Sequence, residues 1–139
     1  MSMFNRLFSF NQALLSLLVP AFLFTGCVGF ERPAPGSNYG KVPTKYAETI
    51  PARMSTVLKD PQSARYRFGV PQPAYLNNGW LYGGKVTWQG YLVYFYVNAK
   101  NSYGGYTGEE KWLALIRDEN VSLVDSASNE QFLLLRKPY

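Results

Sequence analysis

Hydrophobic and polar positions change rhythm several times along this chain, and each change marks a boundary. The run "ALLSLLVPAFLF", Ala13 to Phe24, is 12 residues of almost pure hydrocarbon. Arg6 precedes it and the small residues Thr25 and Gly26 follow, so residues 1–26 read as a targeting segment of the secretory type. From Val28 to Tyr46 periodicity stops, and three prolines and three glycines make residues 27–45 read as a tether. In "ETIPARMSTVLKD" apolar residues return at i, i+4, i+7 and i+8, as Ile50, Met54, Val57 and Leu58. That spacing predicts a helix with Thr49 as its cap and Pro51 in its first turn. Asp60-Pro61 ends it, because the residue before proline is pushed out of helical geometry.

Beyond that point the period becomes two. "SARYRFGV" alternates Ala64, Tyr66, Phe68 and Val70 with basic or small residues, which predicts a strand or extended arm. "KVTWQGYLVYFYVNAK", Lys85 to Lys100, predicts one long strand with an irregularity at Gly90, or two strands turning there. Tyr91, Val93, Phe95 and Val97 share one of its faces; Leu92, Tyr94, Tyr96 and Asn98 share the other. Both are apolar over the middle, as in a central strand with the helix over one side. "KWLALIR" predicts another strand, turned by Asp118-Glu119-Asn120 into "VSLV", and Phe132 to Arg136 predicts a short last one after the polar "DSASNEQ". A helix followed by strands predicts an α+β domain over residues 46–139: one N-terminal helix packed on an antiparallel sheet of four or five strands.

Composition agrees with this pattern and narrows the chemistry. A chain of 139 residues holds one comfortable domain. Its 11 tyrosines favour half-buried pleated surfaces, hence β structure. The net charge is +5, and Arg6 is the only charged residue before Cys27, so the remainder carries +4. The cations are scattered rather than blocked, and no nucleic-acid partner is expected. The absence of histidine removes triads of the usual hydrolytic type, and metal sites built on His or Cys are excluded as well. The adjacent carboxylates Glu109 and Glu110 would point to opposite faces of a strand. No catalytic residue, metal or cofactor is assigned, and the chain reads as non-enzymatic.

The single cysteine, Cys27, cannot form an internal disulfide. Leu23, Thr25, Gly26 and Cys27 resemble the lipobox of bacterial lipoproteins, which are cleaved just before a cysteine that becomes acylated; Phe24 stands where leucine is usual. The resemblance implies that Cys27 is a lipidation site, its thiolate taking the first lipid. Several acyl chains, at about 0.8 kcal/mol per buried CH₂, anchor permanently where one does not. Val28, in place of the aspartate that signals inner-membrane retention, implies an outer-membrane location. Two other readings remain open. One is an uncleaved membrane helix over the 18 uncharged residues from Ala13 to Phe30, interrupted by Pro20, Gly26 and Gly29. The other is an ordinary secretory signal followed by a chance cysteine.

Two motifs remain. "KDPQSA", Lys59 to Ala64, and "VNAKNSYGGYTG", Val97 to Gly108, resemble paired motifs of small, mostly uncharacterised bacterial and phage-borne proteins. That resemblance spans most of residues 50–125 and implies a fold more than an activity. The second motif is the candidate binding loop: Asn98, Lys100, Asn101, Tyr103 and Tyr106 offer amides, a cation and ring faces to a sugar, peptide or protein edge. Its glycines permit close backbone approach. The same residues also suit a wide hairpin connection, with Asn and Gly satisfying the turn and tyrosines covering its base. In the first motif Asp60 or Ser63 is expected to bond nearby backbone amides. The chain therefore reads as an envelope lipoprotein held by acylated Cys27, binding an envelope protein or peptidoglycan. The alternative is an inhibitor or accessory protein of a cell-wall hydrolase, against which the basic charge argues because lysozymes are basic too.

Overall fold

A 15-residue strand, Val86–Lys100, runs through the middle of the fold and pairs with three others. The structure, a computed structural model, describes residues 29–138. In chain order the elements are α1 (Tyr46–Met54), β1 (Asp60–Phe68), β2 (Gln72–Asn77), β3 (Val86–Lys100), β4 (Glu110–Arg117), β5 (Asn120–Ser126) and β6 (Leu135–Arg136). Short 3₁₀ turns lie at Trp80–Tyr82 and Ala127–Leu133. The sheet is antiparallel, ordered β5-β4-β3-β2-β6, with β1 joined to the far end of the β3 edge that β2 also uses. β1 and β2 thus share one long neighbour, each covering half of it.

The alternation in β3 sorts two cores, one on each face. Val93, Phe95 and Val97 join Ala114 and Ile116 of β4 under Ile50 and Met54 of α1. Tyr66 and Phe68 from β1 close this side, with ring centroids 6.2 and 6.0 Å from Phe95. On the opposite face Leu92 meets Ala74, Leu113 and Leu115, and Leu133 and Leu135 pack over them. The faces of β3 fall as its sequence pattern assigns them, and β3 is one continuous strand. Gly90 sits buried inside it because a Cβ there would lie 2.6 Å from the Ile116 carbonyl and inside the Trp88 ring.

The class is α+β, as expected, with corrections to the strands and to the helix. The sheet has six strands rather than four or five: "QPAYLN" shows no clean alternation, yet pairing with Trp88–Leu92 draws it in as β2. The helix is not N-terminal in the described residues, since residues 29–45 precede it. It also starts earlier than Thr49, which places Pro51 in its interior. What sets that start is tertiary: Glu119, in the β4–β5 turn, accepts hydrogen bonds from the amides of Thr44 and Lys45. The helix then ends at Met54, so Val57, expected on the buried face, is 45% exposed in the following turns. The last strand is only Leu135–Arg136, and Phe132 lies exposed in the 3₁₀ turn before it.

Residues 31–45, read as tether from their proline and glycine content, run along the body. Glu31 N–H donates to the Gly84 carbonyl at 2.8 Å, and Asn77 Nδ2 donates to the Glu31 carbonyl at 2.9 Å. Farther on, the Lys41 amide donates to Asp118 Oδ1. Asp118 and Glu119 both have positive φ, the geometry of a two-residue hairpin turn, and their carboxylates hold the incoming segment. Residues 1–28, with Cys27 and the signal-like run, lie outside the described residues.

Candidate functional site

The face of β3 that carries Leu92 and Tyr94 is covered only over its first half. Past Tyr94 the same side presents Tyr96, Asn98 and Lys100, all half-buried. β1 pairs antiparallel with this end, setting Arg67 opposite Tyr96 and Arg65 opposite Asn98. β4 sets Lys111 opposite Tyr96 from the other flank. Period-two geometry therefore brings cations from two strands and rings from the strand between them onto one surface.

The side chains interleave. The Arg67 guanidinium carbon lies 4.1 Å from the Tyr96 ring centroid. Lys111 Nζ lies 4.3 Å and Lys137 Nζ 5.5 Å from the centroid of Tyr94. At the far end Arg65 and Lys100 lie 4.9 and 5.6 Å from the Tyr106 ring. Such contacts contribute about 0.5–1 kcal/mol each at exposed sites, enough to orient the cations rather than to fold the domain. Two carboxylates border the surface. Glu109 pairs with Arg67 at 2.8 Å, both side chains more than half exposed. Glu130 accepts the Tyr94 hydroxyl at 2.6 Å. Burial first, and then this bond to Glu130, push the Tyr94 phenol far above its ordinary range.

The five candidate loop residues separate into three roles. Asn98 and Asn101 turn inward to the loop's own backbone: Asn98 Oδ1 accepts from Gly108 N, and Asn101 Oδ1 from Tyr103 N and Gly105 N. Lys100 and Tyr106 join the cation–ring surface beside Arg65. Tyr103 stands apart at the loop tip, 96% exposed. In the first motif Ser63 Oγ donates to the Asp60 carbonyl and accepts the Lys100 amide, bridging the register shift between Asp60 and Arg65.

Sequence reasoning passed over Arg65, Arg67 and Lys111. Their signal was the basic half of the alternation in "ARYRF", which places both arginines on the side away from Tyr66 and Phe68. It also passed over Trp80, Leu81 and Tyr82, in the turn between β2 and β3, which are 67%, 74% and 77% exposed.

Among the described residues no cluster of His, Cys, Asp or Glu is placed to hold a metal ion, and no helix is long and apolar enough to cross a membrane. Fold and surface together define a class: a small α+β domain with one open sheet face of alternating cations and rings. No protein-family model, curated protein or solved structure matches the chain.

Proposed function

We propose that this chain is a non-enzymatic envelope lipoprotein, anchored through acylated Cys27 at the outer membrane, whose open sheet face binds peptidoglycan. The observation that carries the binding half is the cation–ring surface formed by Arg65, Arg67, Tyr96, Lys100, Tyr106 and Lys111. The tyrosine rings and hydroxyls offer contacts to sugars, and Arg65, Lys100 and Lys111 attract the carboxylates of peptide stems. The anchoring half is supported by the lipobox-like residues Leu23 to Cys27.

Co-sedimentation of the purified protein with peptidoglycan sacculi tests the binding half. The wild type pellets with sacculi in a salt-sensitive way, and the double variant Arg67→Ala/Lys111→Ala stays in the supernatant while its thermal unfolding is little changed. Equal pelleting of the two proteins rejects the surface. Fractionation tests the anchor separately: Cys27→Ser leaves the outer-membrane fraction, and its full retention there rejects acylation as the anchor.

A further inference from the structure

We infer that the Trp80-Leu81-Tyr82 turn is a second membrane contact, a wedge that enters the interface of the bilayer in which the N-terminal segment is held. Three observations place it there. First, the turn presents three large apolar side chains to solvent while bonding the carbonyls on either side of Leu81 locally. Gly79 O accepts from Tyr82 N and Gly84 N, Trp80 O from Gly83 N, and Tyr82 O from Asn78 Nδ2. A turn that bonds part of its backbone internally strands fewer polar groups when it approaches the interface. Trp and Tyr are the residues that favour the membrane–water boundary.

Second, the chain leaves the domain beside this turn. Glu31 N–H bonds the Gly84 carbonyl, and a Cβ on Gly84 would lie 3.1 Å from the Phe30 Cα. Cys27 is three residues before Phe30, a span of about 10 Å even when fully extended. Because residues 31–45 are tied to the body, that short link is all that separates the domain from the membrane-held segment. Whether that segment is an acylated cysteine or an uncleaved helix, the turn is brought close to the lipid surface.

Third, cations surround the exit. Arg136 lies 4.4 Å from the Phe30 ring centroid, Arg32 and Lys137 line the same hollow, and exposed Lys85 follows the turn. The neighbouring carboxylate, Glu31, accepts the Val86 amide and offsets one of these charges. Apolar tip and basic rim together match an interface carrying anionic head groups.

The inference rests on the N-terminal segment being membrane-held, and the test separates the two. Full-length protein purified from membranes is reconstituted into vesicles of phosphatidylethanolamine and phosphatidylglycerol with brominated acyl chains. Trp88 and Trp112 are half-buried in the body, so bromine quenching reports on Trp80. Quenching that disappears in Trp80→Phe, with aqueous acrylamide losing access to Trp80 in vesicles, establishes the wedge. Co-flotation with quenching unaffected by Trp80→Phe overturns the wedge and leaves the anchor. Failure to co-float overturns both. Quenching with an unmodified Cys27 by mass spectrometry overturns acylation and leaves the wedge.

Discussion

The carboxylate of Glu119 accepts the backbone amide of Thr44 at 2.9 Å and that of Lys45 at 3.1 Å, joining the β4–β5 turn to residues more than seventy positions earlier. The Thr44 hydroxyl adds a third bond, at 3.0 Å. This side chain therefore sets where α1 begins and, with Asp118, holds the N-terminal segment against the turn.

Acid weakens this clasp. The Thr44 amide, then the Lys45 amide, hold the Glu119 carboxyl below the usual carboxylate range. A group with a depressed folded pKa stabilises the fold above its unfolded value, about 4.3, and that contribution fades as pH falls through the folded one. The stability gap between wild type and Glu119→Gln is therefore widest at neutral pH and narrows in acid, measured by urea unfolding. A gap that stays constant down to pH 2 contradicts the assignment. Hydrogen exchange at the amides of Thr44 and Lys45 speeds up in the variant.

Tyr94 titrates far above the ordinary tyrosine range. Its neutral form is favoured by burial and by donating to Glu130, so its contribution is complete below the ordinary tyrosine pKa of about 10 and is lost only as pH rises through the higher folded value. Difference absorbance in alkali shows a late-ionising phase in the wild type. That late phase is missing in Tyr94→Phe and moves down in Glu130→Gln.

Gly90→Ala is among the most damaging small changes available. The added methyl meets the Trp88 ring and the Ile116 carbonyl, and neither the β4 backbone nor a packed indole yields easily. Overpacking of this kind costs roughly 1–3 kcal/mol or more. Thermal unfolding measures it, and a loss below a few tenths shows that Trp88 swings away freely.

Phe95→Ala empties the centre of the helix-side core. Phe95 is fully buried and touches both Tyr66 and Phe68. The expected loss is about 3–5 kcal/mol. By contrast Phe132→Ala, at a side chain 76% exposed, moves the unfolding midpoint little. Equal effects at the two sites would contradict the core assignment.

Strands with strict alternation and enough length were legible one residue at a time. β3 divides into its two faces as written, and "KWLALIR" becomes β4 with residues 113–116 all buried. β2 escaped because Pro73 and the short, uneven "QPAYLN" carry little signal alone, and partners on both sides supply its order. The helix start moved for a related reason: the local cap, Thr49, competes with a carboxylate that only the folded chain delivers. In the 97–108 loop the asparagines and tyrosines were legible as a cluster, but not that Asn98 and Asn101 would spend their side chains on the loop itself.

The sequence by itself determined the α+β class, the central strand, the absence of histidine chemistry and the apolar run before the single cysteine, Cys27. These are local matters of period, composition and adjacency. Which cations face which rings, and how near the Trp80 turn lies to the chain's exit, was decided by tertiary structure alone. Arg67 meets Tyr96, and Phe30 meets Gly84, through strand register and long-range hydrogen bonds, and neither is encoded in neighbouring residues.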